Sequence, residues 1–158
     1  MVVSAESLET ALQRAYRYLG HRDRTVVELR RYLVGKGVSE ELAEQAIEEL
    51  IAQRYVDDAR FARQFAEDRR RLDSWGSDRI ERRLRELGVG REEIAAALAA
   101  LNDEGDEIDA AVALLRRRFP APPETDRDRD RALGLLVRRG YDLELAYDAI
   151  RALGRQAA

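Results

Sequence analysis

The sequence predicts an all-α protein: three tandem three-helix repeats, nine helices in all, arranged as an elongated, curved array. Three observations support this. Gly37, Gly88 and Gly140 stand 51 and 52 residues apart, each four residues after a leucine (Leu33, Leu84, Leu136) and just before an apolar residue (Val38, Val89, Tyr141). Each glycine reaches another leucine thirteen residues on (Leu50, Leu101, Leu153), with Ala46-Ile47, Ala97-Leu98 and Ala149-Ile150 just inside it. The repeat therefore spans a helix pair, and the rest of the chain shows helical spacing with no period-2 segment long enough for a strand.

The first repeat, residues 1–53, opens with apolar positions 8, 11, 12, 15 and 19, the stripe of a helix from Leu8 to Leu19. Thr25 with Glu28 reads as a capping box that starts the second helix. Gly37 stands where a left-handed C-cap ends that helix, and the third runs on to Leu50. The second repeat, residues 54–102, begins with a helix from Asp58 to Leu72, on positions 61, 62, 65, 66 and 72, and closes its next helix at Gly88. The third, residues 103–158, begins with Ile108 to Phe119, on positions 108, 111, 112, 115 and 119. All three prolines lie between Pro120 and Pro123, so a loop is expected there. The alternating Asp126 to Arg131 places like charges at i,i+4 and is expected to be mobile or only partly helical.

Composition narrows the function. Hydrophobic residues make up 45% and charged residues 37% of 158 residues, as in a highly charged helical protein. The longest clean apolar run, Ile94 to Leu101, is far below the roughly 20 residues of a spanning helix. The opening Met1 to Glu6 shows no export signal, so a cytoplasmic location is expected. With no cysteine there is no disulfide, thiolate zinc site or cysteine nucleophile. His21, the only histidine, reads as an ordinary loop residue, and no phosphate-binding or dinucleotide-binding glycine motif occurs. No catalytic residue, metal or cofactor is expected, and the protein reads as a binding module, not an enzyme.

The net charge of −3 argues against the phosphate grip of a strongly basic DNA-binding domain. Residues 54–92 carry 11 basic against 9 acidic residues, the only net-positive third. Lys36 is the only lysine, so almost every cation is a guanidinium suited to bidentate recognition.

The run Tyr55-Val56-Asp57-Asp58-Ala59-Arg60-Phe61-Ala62-Arg63-Gln64-Phe65, followed by Arg69 to Arg71, Gly76, Arg79-Ile80, Leu84 and Gly88-Val89, resembles the signature of the RecX family. Arg117-Arg118-Phe119, Arg131 and Leu136 to Tyr141 are similar to that family's C-terminal part, and Thr25, Glu28-Leu29, Leu33 and Lys36-Gly37 match more loosely. The resemblance implies tandem three-helix repeats that bind the RecA filament along its groove. It further implies inhibition of RecA's ATPase, strand-exchange and coprotease activities, and hence a role in DNA repair and the SOS response. The expected partner is RecA on DNA, with weak or indirect DNA contact, and the chain itself is expected to be a monomer. The alternative is a helix-turn-helix DNA-binding protein, because each glycine-centred pair superficially fits that motif.

Arg70, Arg71, Arg79, Arg82 and Arg83 lie off the apolar stripes and are expected to project to solvent as a partner-binding face, joined by Arg138 and Arg139. Phe61 and Phe65, spaced i,i+4, read as core, and Asp57 and Asp58 as N-terminal helix caps. Arg69 falls on the apolar stripe and is expected in a buried-edge ion pair with Asp57 or Asp58. Trp75 reads either as a plug between helices or as an interface anchor. Tyr55 and Tyr141 are expected to pack.

Overall fold

The computed structural model describes residues 7–104 and 106–156; Met1 to Glu6 lie outside them. Among these residues nine α-helices form and no strand does. They are α1 (Leu8–Leu19), α2 (Val26–Gly35), α3 (Glu40–Ala52), α4 (Asp58–Asp73), α5 (Ser77–Glu86), α6 (Arg91–Glu104), α7 (Glu107–Arg118), α8 (Asp126–Arg138) and α9 (Leu143–Gln156).

Helix starts are set by side-chain oxygens that accept from otherwise unpaired backbone donors. Ser7, Thr25, Ser39, Asp57, Asp106 and Thr125 all cap in this way. The second helix of each triplet ends as the glycine spacing requires, with Gly37, Gly88 and Gly140 at φ of 92°, 88° and 97°. In every case the next residue donates back to the leucine five positions earlier at 3.0 Å: Val38 to Leu33, Val89 to Leu84, Tyr141 to Leu136.

Each triplet closes its own core. Leu29, Leu33, Ile47 and Leu50 fill the first, Ile80, Leu84, Ile94 and Leu101 the second, and Leu115, Leu136, Tyr141 and Leu153 the third. Packing is dense within a triplet, α1 on α3, α4 on α6 and α7 on α9. Neighbouring triplets meet mainly end to face, at two joints built from helix termini.

Some expectations need correction. The Asp-Arg alternation is helical from Asp126 onward, because Thr125 caps it, acidic residues occupy the positive end of its dipole and Arg129 pairs with Asp126 at 2.9 Å. Leu72 is 60% exposed, since α4 turns that position away from its core. Tyr55 is 56% exposed and meets Tyr16 edge-on, at 5.3 Å between ring centres. Glu28 does not complete a capping box: its carboxylate is held by Arg22 at 2.5 Å and Arg24 at 3.6 Å.

Candidate functional site

The seven candidate arginines fall into two groups, and the joint between the second and third triplets divides them. Arg70 is withdrawn from solvent. Its Nε donates to the Trp75 carbonyl at 2.8 Å, and its Nη2 donates to Ser77 Oγ at 3.1 Å and lies 3.8 Å from the Glu107 carboxylate. Arg79 lies with its guanidinium 4.2 Å from the centre of the Trp75 ring and donates to the Arg138 carbonyl at 3.1 Å. Arg139 donates to the Asp73 carbonyl at 2.5 Å. These three do not project freely to solvent as expected. The side of a helix that faces away from its own core is here covered by the next triplet.

Arg71, Arg82, Arg83 and Arg138 are exposed. Arg71 lies 3.3 Å from Asp68 and Arg83 3.0 Å from Glu86, both pairs within one helical turn. Such exposed pairs contribute about 0.3 to 0.5 kcal/mol, so their arginines exchange partners easily. Arg82 and Arg83 sit side by side on α5, and the joint fixes that helix relative to α8, which carries Arg138. The four are exposed cations on α4, α5 and α8: Arg83 borders a cleft with Arg22, Phe61 and Phe65, and Arg138 borders one with Arg127 and Arg131.

The joint itself is the feature that reading helices one at a time missed. The N-terminus of α5 leaves four backbone donors without partners in its own helix, and the third triplet takes three of them. Gly76 N donates to the Arg139 carbonyl at 2.7 Å, Ser77 N to the Glu107 carboxylate at 2.8 Å and Asp78 N to the Gly140 carbonyl at 3.0 Å. Ser74, left-handed at φ 57°, receives Tyr141 Oη on its carbonyl at 2.9 Å and Arg117 on its hydroxyl. Burial pushes the Tyr141 hydroxyl up to about 12. Desolvation also raises Asp78 above the usual carboxylate range, helped by Asp142 and Glu107 nearby.

The other candidates are placed as follows. Phe61 and Phe65 stack with ring centres 6.0 Å apart and pack against the second core, as expected. Trp75 plugs the gap beyond them, edge-on to Phe65 at 6.1 Å. Tyr141 is buried in the third core. Arg69 pairs with Asp73 and not with Asp57 or Asp58, because i,i+4 on its own helix is the nearer reach. Asp57 caps α4 by accepting from Arg60 N at 3.0 Å. Asp58 instead reaches across to the first triplet and accepts from Val26 N at 3.0 Å. His21 is exposed in the turn after α1. Among the described residues no group of His, Cys, Asp or Glu side chains is placed to hold a metal ion, and no helix is long and apolar enough to cross a membrane.

Comparison with known proteins agrees with this architecture. Residues 11–50 match the family model for the RecX first three-helix domain, and residues 57–98 that for its second three-helix domain. The chain is 37% identical over 134 residues to the regulatory protein RecX of Trichlorobacter lovleyi, covering 83% of this chain and 87% of that one. It is 35% identical over 135 residues to that of Xanthomonas campestris pv. campestris, covering 85% and 82%. In fold it superposes on the crystal structure of RecX from Lactobacillus salivarius with a TM-score of 0.82, at 19% identity and over 94% of this chain and 97% of the other.

Proposed function

The chain belongs to the RecX family, and from that premise we propose that it regulates the RecA recombinase by docking on the RecA-DNA filament. In this reading it inhibits RecA's ATPase, strand-exchange and coprotease activities, acts in the cytoplasm as a monomer and uses no catalytic residue or cofactor. The three repeats (1–53, 54–102 and 103–158) act as successive contact units, so that affinity accumulates from many weak contacts along the filament.

The observation that supports this reading best is the exposed arginine surface of α5 and α8, held in fixed relation by the second joint. Arg82, Arg83 and Arg138 are its contact residues, with Arg71 near the end of α4 as a fourth. Arg70, Arg79 and Arg139 support it from beneath, so their loss would weaken binding through geometry. Stoichiometric docking on a filament needs no chemistry, only a surface whose guanidiniums stay aligned while several subunits are engaged.

The test is the Arg82→Glu/Arg83→Glu double variant. Reversing both charges across a complementary interface costs about 2 kcal/mol or more, whereas losing the Arg83 pair with Glu86 costs well under ~1 kcal/mol. Inhibition of RecA's DNA-dependent ATPase should be lost while helicity and melting temperature stay near the parent's. Full inhibition by the double variant would remove this surface from the contact. The parent should also prefer RecA-coated single strands to bare DNA by about tenfold or more at equal salt. Submicromolar affinity for random duplex at ~150 mM salt would point instead to a DNA-binding protein.

A further inference from the structure

A second cationic surface, which shares Arg138 with the first, lies in the third repeat. Arg127, Arg131 and Leu135 follow one another at i,i+4 along α8, with Arg138 three residues on, so they share one face over about 16 Å. The end of α7 brings Arg118 and Phe119 to the same place, and together they line an open bowl of about 710 Å³. Among the described residues none of these four guanidiniums is ion-paired, although Asp130 stands on the rim. Some exposed arginines elsewhere are neutralised within one turn, as in Arg85 with Glu81 and Arg151 with Asp148, whereas others such as Arg63 and Arg91 stand singly; the bowl is distinguished by gathering four that carry no ion pair. The bowl therefore keeps its positive charge within an acidic chain.

We propose that this bowl binds a carboxylate-rich peptide segment of the partner protein, one that carries an apolar residue between its acids. Guanidinium forks suit carboxylates, and carboxylates on alternate residues of an extended peptide recur about 6 to 7 Å apart, close to the ~6 Å step from Arg127 to Arg131. The floor, Phe119 with Leu135, offers an apolar contact beside the charges. Nucleic acid fits less well. The Arg131 guanidinium already lies over the Phe119 ring at 5.9 Å, which takes the face a base would stack on. Glu124, Asp126, Asp128 and Asp130 surround the start of α8 and repel any long polyanion, peptide or nucleic acid, so the segment that fits is short and has its acids interrupted by apolar residues. This inference rests on the RecA-docking reading and deepens it by naming the chemistry that the partner presents.

The experiment measures fluorescence anisotropy of three labelled probes on the full chain: a twelve-residue Asp/Glu peptide with interleaved leucines, its Asn/Gln counterpart, and a thymidine oligonucleotide of equal charge. The acidic peptide should bind at least ~10-fold tighter than the amide peptide, and added salt should weaken it. The Arg127→Gln/Arg131→Gln variant should lose most of that preference, while Arg151→Gln keeps it. Equal affinity for the two peptides would overturn the proposal, as would an unaffected double variant. Tighter binding of the oligonucleotide through the same arginines would replace the peptide with nucleic acid. A parent that binds the acidic peptide but ignores RecA filaments would leave this site standing and sink the RecA reading; filament binding without peptide binding would do the reverse.

Discussion

The two joints of the array solve one problem with unequal strength. In both, the N-terminus of a triplet's second helix is received by the following triplet, which supplies a carboxylate from the first residue of its own first helix. Val26 N meets Asp58 at 3.0 Å, and Ser77 N meets Glu107 at 2.8 Å. In both, the residue before the left-handed glycine accepts a further bond, Leu87 from the Thr25 hydroxyl at 2.6 Å and Arg139 from Gly76 N at 2.7 Å. The glycine itself lies against the preceding triplet, Gly88 on Val27 and Gly140 on Arg79. The second joint then adds Asp78 N on Gly140, Tyr141 and Arg117 on Ser74, Arg79 on Arg138, Arg139 on Asp73, and Arg70 between Trp75 and Glu107. The second joint is thus held by more hydrogen bonds and ion pairs than the first.

The largest expected effect separates joint from turn. Gly37 has the same left-handed φ as its two counterparts but open space where a Cβ would stand. Gly37→Ala should therefore cost only the backbone term, about 1 kcal/mol. Gly140→Ala adds a Cβ driven into the backbone of Arg79 and should cost about 3 kcal/mol, with a separate early transition for the third repeat in thermal unfolding. Gly88→Ala should fall between, because Val27 presents a side chain and not backbone. Gly76 has ordinary φ, yet its Cβ would meet the Gly140 carbonyl, so Gly76→Ala tests the joint without backbone strain. Equal losses at Gly37 and Gly140 would show that the joint contributes nothing.

Tyr141 sharpens the comparison at smaller scale. Tyr141→Phe removes the bond to the Ser74 carbonyl and should cost about 1 kcal/mol near neutral pH. Its folded value of about 12 lies above the ordinary tyrosine value of about 10. The associated stability is complete below about pH 10 and is lost as pH rises toward about 12, because the unfolded chain releases the proton first. Denaturant melts between pH 9 and about 11.5 should fall more steeply for the parent than for the phenylalanine variant. Parallel slopes would mean that the hydroxyl is not held in the joint.

The helix triplets were legible in the sequence because they rest on local rules. Left-handed caps demand glycine, apolar stripes demand a 3.6 period, and both leave fixed spacings. The joints were not legible, because their donors are backbone N–H groups, which every residue has, and their acceptors include the carbonyls of Arg139 and Gly140. Only Asp58 and Glu107, acids at the first position of a helix, left a trace, and acids there have a sufficient local reason. The same blindness placed Arg70, Arg79 and Arg139 in solvent. Ser74 held a left-handed position without the glycine that would have marked it, since contacts from the third repeat hold it there. Arg71 near the end of α4 and Arg82 and Arg83 on α5 are exposed, because no later element covers them.

The smallest expected effect tests whether the first joint needs charge or only an acceptor. Asp58 accepts from Val26 N, which favours its ionised form, yet desolvation outweighs that bond, with Glu93, Asp57 and Glu28 adding repulsion, and the carboxyl is raised above its ordinary value. A raised carboxyl contributes stability that is complete below the ordinary value near 4 and is lost as pH climbs through the folded value. At neutral pH the negative charge is therefore a cost that the cap offsets. Asp58→Asn keeps an oxygen for Val26 N and removes the charge, so its melting temperature at pH 7 should equal or slightly exceed the parent's. Asp58→Ala leaves the α2 donor unpaired and should cost about 1 kcal/mol. A loss in Asp58→Asn as large as in Asp58→Ala would mean that the first joint is held by the charge, through the α2 dipole, and not by the hydrogen bond.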